Sequence, residues 1–538
     1  MEDDPASARL RVLESAVVAP SLTPPVPETS LPLTFLDVLW LNAPPVERVF
    51  FYRLTPGPDA GNDITAILSN LKTSLSHALC AFYPLAGRLR LTPGTADRYE
   101  LHHHPGDGVA FTVAECNVDV NELAADGPRE ATVLRGGRGL AVGMALLHAA
   151  CDGASSTRFF HTWVAASTGA GAPPPPIIDR TLVTKDPSAR RLYDVFLGAV
   201  AGRAEREFVK MSADQLLATF TMSKEDIQRV KDVVVVAADE ARAAPPRCSS
   251  LVATFGFIWS CYQRAKHDDA ANDGGPTYFL FTVDHLSRMK PHPVPAEYLG
   301  NCVGVALHGA PKAQLAAVGA GSLLAACTAV AAAIEHAVAG GMGSPELWRE
   351  RIREAVATGG GVLSVAGSPR FRVYHVDFGF GRPAKVEIVS VARTGAMAVA
   401  EGARRSAGGS IEVGISLPPA GMRSPCSAIT MSSSSVAAPV EHMVLIKLCP
   451  EALSSGAAAA MVSALQALPT VILGVSYLHV GPVLRLRSSA ADALGLTHLL
   501  HSLYAIKVNL AEYAAHPAHV AAVQVHIVSK ALDTTTVD

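Results

Sequence analysis

Leu147-His148-Ala149-Ala150-Cys151-Asp152-Gly153 is the stretch on which the reading of this 538-residue chain turns. It puts a histidine base and a carboxylate four residues apart. At neutral pH an unperturbed histidine is mostly the free base and can take a proton from a hydroxyl as that oxygen attacks a carbonyl carbon. On a helix Asp152 would share a face with His148. Gly153 and the short polar run after it instead predict a turn, where the carboxylate either orients the ring or braces the loop. A His-x-x-x-Asp spacing arises easily by chance, so its weight depends on what surrounds it.

Composition narrows the classes. The chain is too long for one ordinary core, and two or three domains are expected. With 49% apolar residues there is ample material for folded cores. A formal net charge of -3 offers no long-range attraction to nucleic acid or to an acidic membrane surface. The nine cysteines are scattered and form no Cys-x-x-Cys pair, which predicts a reduced, cytosolic chain without a structural zinc site. Met1-Glu2-Asp3-Asp4 is acidic where a secretory signal would be basic and then apolar. The Ala-rich run from Leu323 to Ala339 carries Glu335 and His336, so it reads as a packed helix and not as a membrane span.

Working outward from His148, a first segment runs to about Ala172, with a helix expected over Ile64 to Leu85. Pro173 to Pro176 cannot donate backbone hydrogen bonds or continue a helix and mark a connector. The second segment reaches Leu417, with helices expected at Lys224 to Ala237 and Leu251 to Lys266. Strands are expected at Tyr278 to Val283, Arg372 to Val376 and Lys385 to Val391. Residues 418–439 are rich in Pro, Ser, Ala and Gly and read as a linker. Beyond it come an expected strand Val440 to Leu448, helix Glu451 to Leu468, strand Thr497 to Tyr504 and helix Lys507 to His516. Together they make a small α+β unit.

Five stretches, in this order, resemble the plant BAHD acyltransferases: Pro84-Leu85-Ala86-Gly87-Arg88, His148 to Trp163, Val283-Asp284 with Arg288, Tyr298-Leu299-Gly300-Asn301-Cys302, and Asp377-Phe378-Gly379-Phe380-Gly381 running on to Pro383. The resemblance implies a two-lobed α/β fold with halves like chloramphenicol acetyltransferase, divided here at residues 1–176 and 177–417. It implies transfer of an acyl group from a coenzyme A thioester, with His148 as general base in a channel between the lobes and no metal. Asp152 would point away from the substrate and hold its loop by pairing with an arginine such as Arg288. Asp377 to Gly381 would be structural. The Tyr298 to Cys302 run is similar to the signature of the clade acting on flavonoid and anthocyanin glycosides. That clade implies malonyl-CoA or hydroxycinnamoyl-CoA as co-substrate and a phenolic glycoside as acceptor, in a monomer.

The chain departs from that pattern. Phe380 stands where the family usually has tryptophan, and Leu286 takes one of two common arginine positions. The family's further strand-forming stretch between positions like Glu130 and Ala131 is missing, as is its final helix after Leu417. Their loss predicts uncovered core surface, and with it an alternative: an acyltransferase part that no longer turns over and serves as a dimeric binding or stress-response protein.

Residues 440–538 resemble the stress-responsive A/B barrel domains, ferredoxin-like α+β units that pair into a dimeric barrel. The carrying residues are Glu441 to Lys447, Gly481-Pro482, Thr497-His498 and Ala511 to Val520. The last run is also similar to olivetolic acid cyclase, which places Tyr513 and His519 as a candidate pair with His442 and His498 near the same cavity. A packing role for His516-Pro517-Ala518-His519 as a helix-ending turn is the plainer reading. No carboxylate or cysteine completes a metal set there. His102-His103-His104 reads as an exposed strand end, and Cys151 as loop packing. Met431, ahead of four serines, fits two coding units joined in one polypeptide.

Overall fold

Ser223 and Asp226 cap each other: Asp226 N donates to Ser223 Oγ at 3.0 Å and Ser223 N donates to Asp226 Oδ2 at 2.9 Å. This capping box satisfies two orphan amides and launches the helix Lys224–Glu240, one turn longer than its apolar spacing predicts. The computed structural model describes residues 10–21, 24–54, 64–116, 124, 129–130, 139–185, 188–200, 215–266, 275–289, 292–339, 345–357, 361–403, 409–419, 422, 440–468, 472, 475–482, 497–504, 513–514, 516–528 and 530–537. They fall into two units, Met1–Pro425 and Cys426–Asp538.

In the first unit a seven-stranded mixed sheet runs in the order Val303–Pro311, Pro276–Asp284, Val362–Gly367, Met397–Glu401, Ile411–Leu417, Leu216–Met222, Arg129–Glu130. The helices Ser250–Lys266 and Ala320–Val338 pack together beside it. They approach closely at Gly256, where a Cβ would lie 2.6 Å from Cys327 Sγ. Ala320–Val338 is long and apolar enough to cross a membrane, yet here Leu323, Ala326, Cys327 and Val330 are buried in the unit. A three-stranded sheet joins Lys385–Ile388, Val46–Arg53 and Gly139–Leu146. Each half of the chain therefore lends a strand to the other's sheet: Lys385–Ile388 pairs with Val46–Arg53, and Arg129–Glu130 with Leu216–Met222.

Several expected elements differ. Arg372 to Val376 forms no strand but two 3₁₀ turns, Pro369–Phe371 and Val373–His375, because Pro369 removes a donor and Arg372 between them takes φ 49°. The strand from Lys385 ends at Ile388, and a helical turn Val391–Thr394 follows, closed by Gly395 at φ 66°. The helix from Ile64 stops at Ala81, and the segment with Pro84 tightens into a 3₁₀ turn, Tyr83–Ala86. His102 and His103 are not exposed. Their strand, Tyr99–His103, is the centre of a three-stranded sheet, which leaves them 9% and 2% accessible. At Leu10–Val18, by contrast, Val12, Leu13 and Val17 are 57%, 56% and 70% exposed.

The second unit is a four-stranded antiparallel sheet in the order Val475–Pro482, His498–Tyr504, Val440–Leu448, Ala531–Val537. Its core gathers Ile446, Leu448, Met461, Leu465, Leu500 and Tyr513. The outer two strands had no sequence reading. The expected helix from Glu451 is split into Pro450–Ser454 and Ala457–Gln466 by Gly456 at φ 75°. The expected helix Lys507 to His516 lies almost wholly outside the described residues, as does most of the linker. His516 caps a helix that starts at Pro517, so the motif begins a helix instead of ending one.

Asp377 Oδ1 accepts from Gly379 N and Gly381 N, each at 2.9 Å, and both glycines sit near φ 100°. That turn drives Phe378 between Tyr52 and Trp163, with ring centroids 6.2 and 4.8 Å away. Phe378→Ala is expected to lower stability by about 3–5 kcal/mol through the cavity it leaves, read from the urea midpoint of the full chain.

Candidate active site

The strand Gly139–Leu146 delivers His148 into a turn, and Asp152 ends the turn by capping the helix Gly153–Thr168. Asp152 Oδ1 accepts from Ser155 N at 2.9 Å, the N-cap bond that satisfies an orphan amide of the first turn. Asp152 Oδ2 accepts from Cys302 N at 3.2 Å, and Asp152 N donates to Gly300 O at 3.2 Å. Burial pushes the Asp152 carboxyl above its ordinary range, against the pull of these amides. Asp152 makes no hydrogen bond to His148. Its pairing with Arg288 is not found either: Arg288 is exposed and donates Nη1 to Asp284 O at 2.7 Å. Main-chain amides brace this carboxylate more cheaply than a buried ion pair would, since no second charge has to be desolvated.

His148 is half-buried, its ring stacked on the Trp40 indole at 3.9 Å and 14°. Its carbonyl accepts from Asn301 Nδ2 at 2.9 Å. Nδ1 is buried without a hydrogen-bond partner. Burial pulls the imidazole down to about 4, against smaller opposing effects from its own backbone, Asn301 and Asp37. At neutral pH His148 is therefore an uncharged base. Burial pushes the neighbouring Cys151 thiol well up, so it stays protonated and unfit as a nucleophile.

Three residues that the sequence reading did not single out hold this arrangement. Asp37, wholly buried, accepts from Asn301 Nδ2 at 2.9 Å, Asn301 N at 3.0 Å, and Thr34 N and Oγ1 at 2.8 and 2.7 Å. Arg180 lies 3.5 Å from Asp37 Oδ2 and donates Nη1 to Tyr298 OH at 2.9 Å and Leu299 O at 3.0 Å. Trp40 covers the imidazole. The only sequence signal was Thr34-x-x-Asp37, which has capping-box spacing. Gly300 must be glycine, since a Cβ there would meet Arg180 Nη1 at 1.8 Å.

Asp377 to Gly381 sits at the far end of the same helix, where Ser167 Oγ donates to Phe378 O at 3.0 Å. Fifteen residues of α-helix separate Ser167 from Asp152, a rise of roughly 22 Å.

Residues 8–132 and 129–427 match the Transferase family. The chain belongs to that family, the BAHD acyltransferases. Among its relatives, phenolic glucoside malonyltransferase 1 of Arabidopsis thaliana is 30% identical over 78% of this chain and 96% of its own. A coumaroyl-CoA:anthocyanidin 3-O-glucoside-6''-O-coumaroyltransferase of the same plant is 28% identical over 74% and 92%. Vinorine synthase shares the Transferase fold, with a TM-score of 0.58 and 18% identity over 77% of this chain and 96% of its own. Residues 440–538 match the Stress responsive A/B Barrel Domain.

In that second unit Tyr513 and His519 come together, ring centroids 4.3 Å apart, and His519 Nδ1 lies 3.1 Å from Ala514 O. Burial lowers the His519 pKa, and His442 and His516 add to the effect. His498 is buried on the neighbouring strand. It pairs with Ile446, four residues along the strand from His442, or about 14 Å away. Among the described residues no group of three His, Cys, Asp or Glu side chains could hold a metal.

With His148 as the base, its depressed pKa would set the acid limb of kcat/KM. The rate should stay flat from pH 8 to about 6 and fall only as the pH drops toward 4, where the base becomes protonated. Trp40→Ala uncovers the ring, moves its pKa toward 6.5 and shifts the limb upward, which a pH–rate profile measures.

Proposed function

We propose that the first unit transfers a malonyl or hydroxycinnamoyl group from its CoA thioester to a sugar hydroxyl of a phenolic or flavonoid glycoside, with His148 as general base. One observation carries the reading: an imidazole kept uncharged by burial and stacked on Trp40, with the main-chain carbonyl of His148 bonded to Asn301. Nε2 takes the hydroxyl proton, and the oxygen attacks the thioester carbonyl. The tetrahedral oxyanion then collapses, the C–S bond breaks, and the CoA thiolate recovers the proton from the imidazolium. No acyl-enzyme forms, in keeping with the protonated Cys151. The donors are those in the names of the relatives.

A positioned base contributes about 10² to 10⁴ in rate. His148→Ala is therefore expected to lose about 3–5 kcal/mol of barrier lowering, measured in a donor-by-acceptor screen with product detection by mass spectrometry. Near-normal turnover by that variant would sink the assignment. CoA-thioester binding with no product from the wild type would favour the non-catalytic role.

We further infer that the first unit is monomeric, that the chain works in the cytosol, and that the second unit pairs two copies. The pairing surface is the sheet face opposite Ile446, Leu448 and Leu500, where Met443, Leu445 and Leu499 are only half-buried. Sedimentation of the full chain should give a dimer, and Leu445→Glu with Leu499→Glu should give a monomer with unchanged malonyl transfer.

A further inference from the structure

Val303–Pro311, the edge strand of the seven-stranded sheet, sends successive side chains to opposite faces, as its period of two requires. His308 pairs with Phe279 and Gly309 with Tyr278, so His308 goes to one face and Tyr278 to the other. His308 meets His336 of the helix Ala320–Val338, the rings stacked with centroids 6.0 Å apart at 30°. On the other face the Tyr278 ring lies against the bare backbone of Gly309, where a Cβ would come 2.9 Å from Tyr278 Cε1.

Round this sheet edge opens a cavity of about 240 Å3, far more than the roughly 10–15 Å3 that a water needs. Its walls are His308, His336, Tyr278 and Leu307, with Arg351 and Glu354 from the helix Pro345–Ala357. The cavity is remote from His148. Asn301 binds the His148 carbonyl, and the strand that starts at Val303 runs roughly 17 Å before it reaches His308.

Three groups that carry or can take positive charge converge on it. Arg351 is exposed and forms no ion pair with a described residue. His308 is half-buried, and burial, His336 and Arg351 all lower its pKa. Glu354 is the one carboxylate among the lining residues, and it is not among the groups that perturb His308. A proton on His308 therefore meets repulsion that this wall does not offset. An anion between the three groups removes that repulsion and gives the planar Arg351 fork the partner it matches. Beside them Leu307 and the Tyr278 ring form an apolar wall that a bare inorganic anion would leave unused.

We propose that this cavity binds a small aromatic carboxylate at a site separate from His148. The carboxylate meets Arg351, His308 and His336, and the ring lies against Tyr278 and Leu307. The site goes beyond the acyl-transfer reading and does not depend on it. A bound carboxylate favours the protonated form of His308, so ligand and proton bind together. Affinity should rise as the pH falls from 8 to 6, a range in which an aromatic carboxylate stays ionised.

Calorimetric titration of the full chain with sodium benzoate tests this. Benzoate should bind saturably at pH 6 and more weakly at pH 8. Arg351→Gln, a change at an exposed position, should raise Kd about 10-fold, the size of a charged hydrogen bond. Glu354→Gln removes the opposing charge and should lower Kd. Replacing His308 and His336 together by Gln should abolish the pH dependence, and His148→Ala should leave binding unchanged. Benzyl alcohol lacks the charge and inorganic phosphate lacks the ring, so each should bind about 10-fold more weakly than benzoate. Absence of benzoate binding, wild-type affinity in Arg351→Gln, or equal affinity for benzyl alcohol or phosphate would overturn the site.

Discussion

The carboxylate of Asp37, sealed from solvent, is the constraint on which the first unit's site depends. A buried charge is tolerated only when donors surround it, and here they come from three distant parts of the chain: Thr34 beside it, Arg180 after the proline connector, and Asn301 in the Tyr298 to Cys302 run. Asn301 spends its second amide hydrogen on His148 O. His148 is thus tied through its main chain to a network that must be complete for Asp37 to be buried at all.

Asp152 repeats the same physics one turn later. Its two oxygens take amides from its own helix and from Cys302, so the Tyr298 to Cys302 run anchors the loop at both ends. Trp40 then covers the imidazole. Excluding water from one ring face disfavours the charged form, and that keeps His148 a free base at physiological pH.

Much of this was legible in the residues. The helix at Lys224 and the order of the motifs needed only local chemistry, whereas Gly153 and the polar run after it, expected as a turn, begin the helix Gly153–Thr168. The strand expected at Arg372 failed because apolar alternation cannot show that Pro369 and a left-handed Arg372 interrupt the ladder. His102 and His103 looked like an exposed end because their cover, from Thr29–Pro32 and Arg88–Leu91, comes from elsewhere in the chain. His498 and His442 lie on one face of the sheet, four residues apart along the strand, a spacing that only the register shows.

By itself the sequence determined the family and the loop that carries His148, since these rest on residue types at short spacings. Only the tertiary structure decided what holds them: Asp37, Trp40 and Arg180 act through partners 100 or more residues away, and burial, which lowers the His148 pKa, is not a property of any local stretch.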